Sequence, residues 1–428
     1  MKKTDKVFIS LLLLVVLFMN TTGCSRISGT DTINNTDDSP ERNTMEYSKV
    51  SETKAIESTD DFVESMADFS LELFKKSIDD KENSLVSPLS VSLALSMTAN
   101  GASGETLKQM EAVLGRSISI DELNEYLYNY VQGLPSEEKS KLGIANSIWL
   151  RDDGSLVIEP DFLQKNTEYY GASVNSSAFD SQTLKDINDW VSINTDGMID
   201  KVLDQIDKDA MLYLINAVVF DAEWQSVYNI AEIRDGEFID IGGKTQSVEF
   251  MYSKEHIYLD DGKATGFIKP YAGGAYSFMA LLPNEDISLQ DYIESLDGPG
   301  FLSLLDNPEY TLVNASMPKY KFEYEISMND ILADLGMPDA FEDNKADFRR
   351  MGASTSGSLY IQEVLHKTYI SVDELGTKAG AVTEVMMVPL NAPLETPKVV
   401  NLDRPFVFAI VDNSTNLPIF IGTVMTIE

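Results

Sequence analysis

Residues 210–220, AMLYLINAVVF, restrict the fold of this chain more than any other segment, because none of them carries a charge. An uncharged run of this length suits a β-strand that is covered on both faces. The segment therefore predicts a buried strand in a sheet that has other elements packed against each side.

Helical patterns dominate the first half of the chain, and strand patterns dominate the second half. Apolar residues recur at helical spacing in 62–74, and residues 87–101 have the Ser-Pro start, apolar run and final Gly of a buried helix. Three later segments read as strands: 359–372, 405–411 and 418–427. No repeat and no Pro/Gly linker follows residue 60, so we predict one α+β domain over residues 60–428.

The first 23 residues have the pattern of a signal peptide. A basic start precedes the apolar run 7–19, which is too short to span a membrane comfortably as a helix. Cys24, the only cysteine, then follows a small residue, which resembles the lipobox of bacterial lipoproteins, although Thr21 stands where an aliphatic residue is usual. The resemblance implies a lipid on Cys24, and the alternative is a plain secretory signal.

Residues 24–59 are rich in Ser, Thr, Asn, Asp and Glu, which predicts a disordered polar tether. As a flexible coil, the 35 residues after Cys24 would span about 30–35 Å. We expect the domain to lie on the extracellular side of a bacterial membrane, held only by the lipid anchor, or to be secreted.

The chain is strongly acidic, with 69 Asp and Glu against 33 Lys and Arg and a formal net charge of −36. Sequence-independent nucleic-acid binding needs a basic surface, so we expect no nucleic-acid partner. Docking of the domain on anionic lipid is disfavoured for the same reason. Solubility and self-repulsion are the main consequences of this charge.

Few residues could support catalysis. The chain has two histidines: the alternating pattern around His366 favours a buried, hydrogen-bonded role, and His256 reads as a strand-edge residue near a turn. No cysteine pair, histidine cluster, HExxH or phosphate-binding glycine motif is present. We therefore expect no cofactor, no metal and no enzymatic activity, and the alternative is a hydrolase with a Ser-His-Asp triad.

The segment 373–387, DELGTKAGAVTEVMM, has side chains too small for a core strand and is too rich in Ala and Val for an ordinary loop. One alternating set from residue 377 onward is uncharged: Thr377, Ala379, Ala381, Thr383, Val385 and Met387. Both charges, Lys378 and Glu384, fall in the other set. Because strand side chains alternate between two faces, the segment could enter a sheet with its uncharged face buried. A flexible linker is the alternative.

Several segments resemble, in order, those of one family, the serpins. They are 83–110, 187–203, 214–224, 317–351, 359–385 and 404–424. The resemblance runs from about residue 60 to residue 428. It implies the serpin fold, with a large mixed five-stranded main sheet, two smaller sheets, eight or nine helices and an exposed reactive-centre loop.

The resemblance also implies a mechanism. A protease cleaves the exposed loop, whose first arm inserts into the main sheet of a metastable native state and carries the acylated protease away. The loop would start near Glu374, and its hinge would comprise Glu374, Gly376, Thr377, Ala379, Gly380, Ala381 and Val382. Gly376 is expected to give the hinge backbone freedom. In the family's usual spacing the scissile bond is Leu390–Asn391, with Met387 and Leu394 as alternatives.

These apolar residues favour a chymotrypsin- or subtilisin-like serine protease as partner, with a papain-like cysteine protease as the alternative. The absence of Arg and Lys from 379–397 disfavours trypsin-like targets. We expect a monomeric suicide inhibitor that forms a covalent acyl complex, and the competing hypothesis is a non-inhibitory serpin that acts as a binding module.

The resemblance assigns supporting residues as well. Four of them match a polar cluster where the main sheet opens: Ser87, Ser90, Asn216 and His366. Glu374 and Lys319 match a salt bridge at the top of the sheet, and Trp224 matches the residue that packs there. Ordinary core packing is compatible with each of these assignments.

Overall fold

The computed structural model of the chain describes residues 60–116, 118–355, 357–377 and 396–427. This part contains nine α-helices: α1 (Asp60–Lys76), α2 (Pro88–Ala99), α3 (Gly104–Gly115), α4 (Ile120–Gly133), α5 (Pro160–Tyr170), α6 (Ser181–Asn194), α7 (Leu289–Glu294), α8 (Gly298–Asp306) and α9 (Asn329–Leu335). The predicted signal peptide, tether and Cys24 lie outside the described residues. Within the described ranges, no helix combines the length and the apolar character needed to cross a membrane.

The strands are β1 (Ser84–Val86), β2 (Ser140–Arg151), β3 (Leu156–Ile158), β4 (Ser173–Ser177), β5 (Leu212–Glu223), β6 (Ile233–Ile239), β7 (Thr245–Asp260), β8 (Ala264–Pro270), β9 (Tyr276–Pro283), β10 (Glu309–Pro318), β11 (Tyr320–Ser327), β12 (Gly352–Ser354), β13 (Leu365–Val372), β14 (Gly376–Thr377), β15 (Lys398–Asn401), β16 (Phe406–Asp412) and β17 (Pro418–Val424). The apolar run at 210–220 accounts for most of β5, as predicted.

The main sheet has the strand order β11-β13-β14-β5-β2-β4. Strands β2 and β4 are parallel, and all other neighbours are antiparallel, so the sheet is mixed. Five of its strands correspond to the expected main sheet, and the sixth is the two-residue strand β14. The predicted α+β fold class is confirmed.

The second sheet has nine strands in the order β1-β17-β16-β9-β8-β7-β10-β15, with β6 paired to β7. Strand β7 is 16 residues long and pairs with β6, β8 and β10. The two smaller sheets that the resemblance implies share this strand and are therefore continuous. Strands β3 and β12 form a separate pair.

Helix α2 lies between the two large sheets and contacts β5 on one side and β17 on the other. All but one of its twelve residues are buried, as the apolar run predicts. Its start is well defined, because the Ser87 side chain accepts a hydrogen bond from the Ser90 amide and Pro88 occupies the first turn. This cap places both serines against the main sheet.

Two predicted elements are shorter than their patterns suggested. The strand predicted from residue 359 begins at Leu365, because its neighbour β11 ends at Ser327 and the Met328 amide turns to bind the Val364 carbonyl. The sequence of residues 184–203 also predicts a helix, with an Asp-Gly interruption, and α6 ends at Asn194, just before that interruption. The residues after α6 fold back toward this helix, and the side-chain oxygen of Asn188 accepts hydrogen bonds from the amides of Val202 and Leu203.

Candidate functional site at the opening of the main sheet

Strand β14 lies at one end of the main sheet, between β5 and β13. Gly376 pairs with Glu223, and Thr377 pairs with both Ala222 and Val372. The resemblance implied an exposed loop from about Glu374 onward, and this is corrected by the structure: Gly376 and Thr377 are buried within the sheet. The remaining hinge residues, 379–382, and the predicted scissile bond Leu390–Asn391 lie outside the described residues.

Beyond β14, the main sheet is open between β5 and β13. The two strands are not neighbours in the described part of the sheet, and a cavity of about 560 Å³ lies between residues 213–218 and residues 364–368. Helix α2 and residues Ile199, Val202 and Leu203 also line it. Unpaired strand edges present backbone donors and acceptors that can pair with an added strand. The cavity therefore has the form of a slot for one more strand.

Gly376 is required by a close backbone approach rather than by a left-handed conformation. A Cβ atom built at this position would lie 2.0 Å from the carbonyl oxygen of Ala222. Gly376 is not among the glycines with positive φ. A glycine at this position therefore lets β14 approach β5, and the expectation that Gly376 gives the hinge backbone freedom stays a prediction.

Trp224 packs under the turn that precedes β14. Its indole Nε1 donates to the carbonyl of Asp373 at 2.8 Å, and its amide donates to the carbonyl of Leu375 at 2.8 Å. Its ring stacks on that of Tyr271, with the centroids 4.6 Å apart. Burial raises the pKa of Tyr271, whose protonated hydroxyl lies 2.6 Å from the Thr377 hydroxyl.

Glu374 is held at both its side chain and its backbone. Its carboxylate lies 2.7 Å from the ammonium of Lys319, which also contacts Glu249 at 3.2 Å. The hydrogen bond from Lys319 lowers the pKa of Glu374. The Glu374 carbonyl accepts a 3.0 Å hydrogen bond from the amide of Tyr228. The salt bridge is therefore present, and its part in loop insertion stays a prediction.

The structure brings the four residues of the predicted polar cluster together beside the cavity. The Ser87 amide donates to Nε2 of His366 at 3.0 Å, and the Ser87 hydroxyl donates to the carbonyl of Ile419 at 2.8 Å. The Ser90 hydroxyl donates to the side-chain oxygen of Asn216. Burial lowers the pKa of His366 to about 4, so its imidazole is neutral near pH 7 and accepts this bond. The role of the cluster in sheet opening stays a prediction.

The polar cluster continues into a network that the sequence did not reveal. Asn216 donates to Asn146, its direct partner in the β2–β5 register, at 2.8 Å. Asn146 in turn donates to the backbone carbonyl of Tyr170 at 2.8 Å. The Tyr170 hydroxyl then donates to Asn124. The available signal was an asparagine inside each of two apolar strand patterns, but no spacing rule links positions this far apart.

Neither histidine is arranged for nucleophilic catalysis. The buried imidazole of His366 already accepts a backbone hydrogen bond, and the side chain of His256 is exposed on β7. In the residues that the structure describes, no group of three or more His, Cys, Asp or Glu side chains is placed to hold a metal ion.

A mixed sheet that is open between two central strands, with the first residues of a long connection already paired at the opening, defines a narrow class of fold. Residues 64–427 match the family described as serpin (serine protease inhibitor). The chain belongs to the serpin family.

Its similarity to individual members extends over most of the chain. A serpin-like protein of Thermococcus kodakarensis is 30% identical over 371 residues, which cover 85% of both chains. Leukocyte elastase inhibitor A of Mus musculus is 29% identical over 377 residues, which cover 83% of this chain and 97% of the relative.

The solved structures similar to this chain include two of the thermophilic serpin tengpin. Its native state superposes with a TM-score of 0.83 at 56% identity, covering 90% of this chain and 98% of tengpin. Its latent state superposes with a TM-score of 0.78 at 53% identity, covering 86% and 99% of the two chains.

Proposed function

We propose that this chain inhibits serine proteases by inserting its own cleaved loop into the main sheet. One observation supports this proposal above the others: β14 already pairs with β5 on one side, through Gly376 and Thr377, and with β13 on the other side, through Thr377. An inserted strand would supply backbone hydrogen-bond partners to the facing edges of β5 and β13.

The register of β14 supports the proposal further. Thr377 lies opposite Ala222 and Val372, and antiparallel pairing advances one residue along each strand per step. Six steps further, Thr383 would lie opposite both Asn216 and His366. The inserted strand would therefore bring a hydroxyl to the polar cluster.

The same register would place the uncharged side-chain set toward the core. Thr377 is buried, with 3% of its surface exposed, and every second residue after it would face the same side. Lys378 and Glu384 would face the other side of the sheet. A slip of one residue would turn both charges toward the core, which costs several kcal/mol for each unpaired charge.

An inserted arm is also long enough to move an attached protease. About 15 residues in a strand span about 50 Å at about 3.3 Å per residue. A protease that is bound as an acyl-enzyme at the end of this arm would be carried along the whole main sheet and pressed against its far end.

For the target, we propose a chymotrypsin- or subtilisin-like serine protease with an apolar specificity pocket. The loop sequence supports this choice, because Leu390 stands at the inferred scissile bond and no Arg or Lys lies in 379–397. One relative is named as an inhibitor of leukocyte elastase. Cleavage at Met387 or Leu394 would fit the same class of pocket.

The test is to incubate the protein with chymotrypsin, subtilisin, trypsin and papain. We expect a covalent, denaturant-resistant complex with chymotrypsin or subtilisin, and mass spectrometry of the released C-terminal fragment then gives the scissile bond. A complex with papain alone would favour the cysteine-protease alternative. If the proteases that cleave the loop all remain free and active, the proposed inhibition is wrong.

We also propose that Cys24 carries the lipid that holds the inhibitor outside the cell. The apolar run 7–19 and the small residue before Cys24 support this. Metabolic labelling with a fatty acid should mark the wild-type chain, whereas Cys24→Ser should remove the label and release the protein into the medium. Unlabelled, released wild-type protein would support plain secretion instead.

A further inference from the structure

A buried ion pair lies close behind the hinge. The ammonium of Lys269, on β8, lies 2.9 Å from a carboxylate oxygen of Glu255, on β7. Their side chains are only 3% and 9% exposed. Desolvation of two charges is costly, and well-packed apolar residues often replace such a pair with no loss of stability. Fold stability alone therefore does not account for the pair.

Lys269 also contacts the two aromatic residues that hold the hinge. Its ammonium lies 4.4 Å from the ring centre of Tyr228 and 5.5 Å from that of Trp224. Both distances fall within the range of cation–π attraction. The Glu255 carboxylate fixes the ammonium, and Ser253, two residues before it on β7, lies 3.4 Å from the Tyr228 hydroxyl.

These aromatic residues bind every backbone carbonyl in the turn that leads into β14. Trp224 binds the carbonyls of Asp373 and Leu375, and Tyr228 binds the carbonyl of Glu374. The turn sets the register in which Thr377 pairs with Ala222 and Val372. A displacement of Trp224 and Tyr228 would therefore loosen the turn that fixes the start of the inserted strand.

We propose that Lys269, held by Glu255, is a positioning residue that fixes Trp224 and Tyr228 so that the cleaved loop inserts quickly and in one register. This inference rests on the proposed function, because it concerns the insertion step. Fast insertion traps the acylated protease, whereas slow insertion allows deacylation and leaves cleaved inhibitor and free protease.

The test variant is Lys269→Met with Glu255→Leu in the full chain, because a single substitution would leave one buried charge unpaired. We expect its native unfolding temperature to stay close to that of the wild type. We expect the number of inhibitor molecules consumed per trapped protease to rise at least threefold. Leu305→Ala on α8 is a control that lowers stability away from the hinge, and its stoichiometry should equal that of the wild type.

Hydrogen exchange of the uncleaved protein gives a readout independent of inhibition. The amides of Trp224 and Tyr228, which bind the hinge carbonyls, should exchange at least tenfold faster in the double variant and at the wild-type rate in Leu305→Ala. Wild-type exchange and wild-type stoichiometry in the double variant would overturn the inference and leave the proposed function intact. Failure of the wild type itself to trap any protease would overturn both.

Discussion

The hydroxyl of Thr377 lies 2.6 Å from that of Tyr271, in a buried contact beneath Trp224. The first residue expected to insert is thus already part of the main sheet in the uncleaved chain. An Arg at this position would disturb the native sheet as well as the inserted one. Variants that test insertion alone should therefore begin after Thr377.

Thr377→Val should destabilise the uncleaved protein by about 1–3 kcal/mol, because it leaves the buried Tyr271 hydroxyl without its hydrogen-bond partner. Thr377→Ser keeps a hydroxyl and should cost less. Urea unfolding of the three proteins measures the difference. Equal stability of the Val and Ser variants would show that this hydrogen bond contributes nothing.

Ala379→Arg should convert the inhibitor into a substrate. In the inserted strand, residue 379 would face the same side as Thr377, so insertion would bury the arginine charge at a cost of several kcal/mol. Lys378→Arg is the matched control, since it places the same side chain one residue earlier on the opposite face. After each variant has reacted with the target protease, denaturing gel electrophoresis separates the covalent complex from the cleaved inhibitor. Equal amounts of complex from both variants would rule out the inferred register.

Cleavage of the loop should raise the unfolding temperature by about 10 °C or more. About ten added backbone hydrogen bonds at about 0.5–1.5 kcal/mol each would stabilise the sheet by about 5–15 kcal/mol. Thermal unfolding of cleaved and uncleaved protein tests this directly. An unchanged unfolding temperature would favour a non-inhibitory serpin that acts as a binding module.

Acid should destabilise the protein through His366. Its pKa is lowered to about 4 in the folded state, against about 6.5 in the unfolded chain, so only the unfolded chain takes up the proton between these values. Stability is therefore fully present above pH of about 6.5, and about 3 kcal/mol is lost as the pH falls to about 4. Urea unfolding of wild type and His366→Gln from pH 7 to 4 should show a smaller loss for the variant. Parallel pH profiles would contradict this assignment.

Local sequence patterns were enough to predict β5 and the buried helix α2. The resemblance then located Glu374, Lys319 and Trp224. What the sequence missed depends on contacts between distant segments. Gly376 is constrained by the Ala222 carbonyl, and Lys269 reads as an ordinary strand lysine until the fold places it under Trp224. No local spacing carries information about such contacts.

The strand predicted at 359–372 is longer than the observed strand β13, for a related reason. Residues 359–364 have strand-like composition, but a strand also needs a partner, and β11 ends at Ser327 where the chain turns into α9. The side chain of Asn329 instead binds the amide of Val364 and the carbonyl of Gln362. Tertiary pairing thus overrides β-propensity here.

Asn124 should be the most sensitive residue of the buried network, because it joins three helices. It exchanges hydrogen bonds with Asn100 at the end of α2 and accepts one from the hydroxyl of Tyr170 on α5. Asn124→Ala removes the hydrogen bonds that the buried Oδ1 of Asn100 and the Tyr170 hydroxyl make to Asn124, while Asn100 keeps its bond to Asn166. We therefore expect a loss of about 2–4 kcal/mol in the free energy of unfolding. Asn129→Ala, on the same helix, should cost less than about 1 kcal/mol. Similar losses for the two variants in urea unfolding would contradict a structural role for the network.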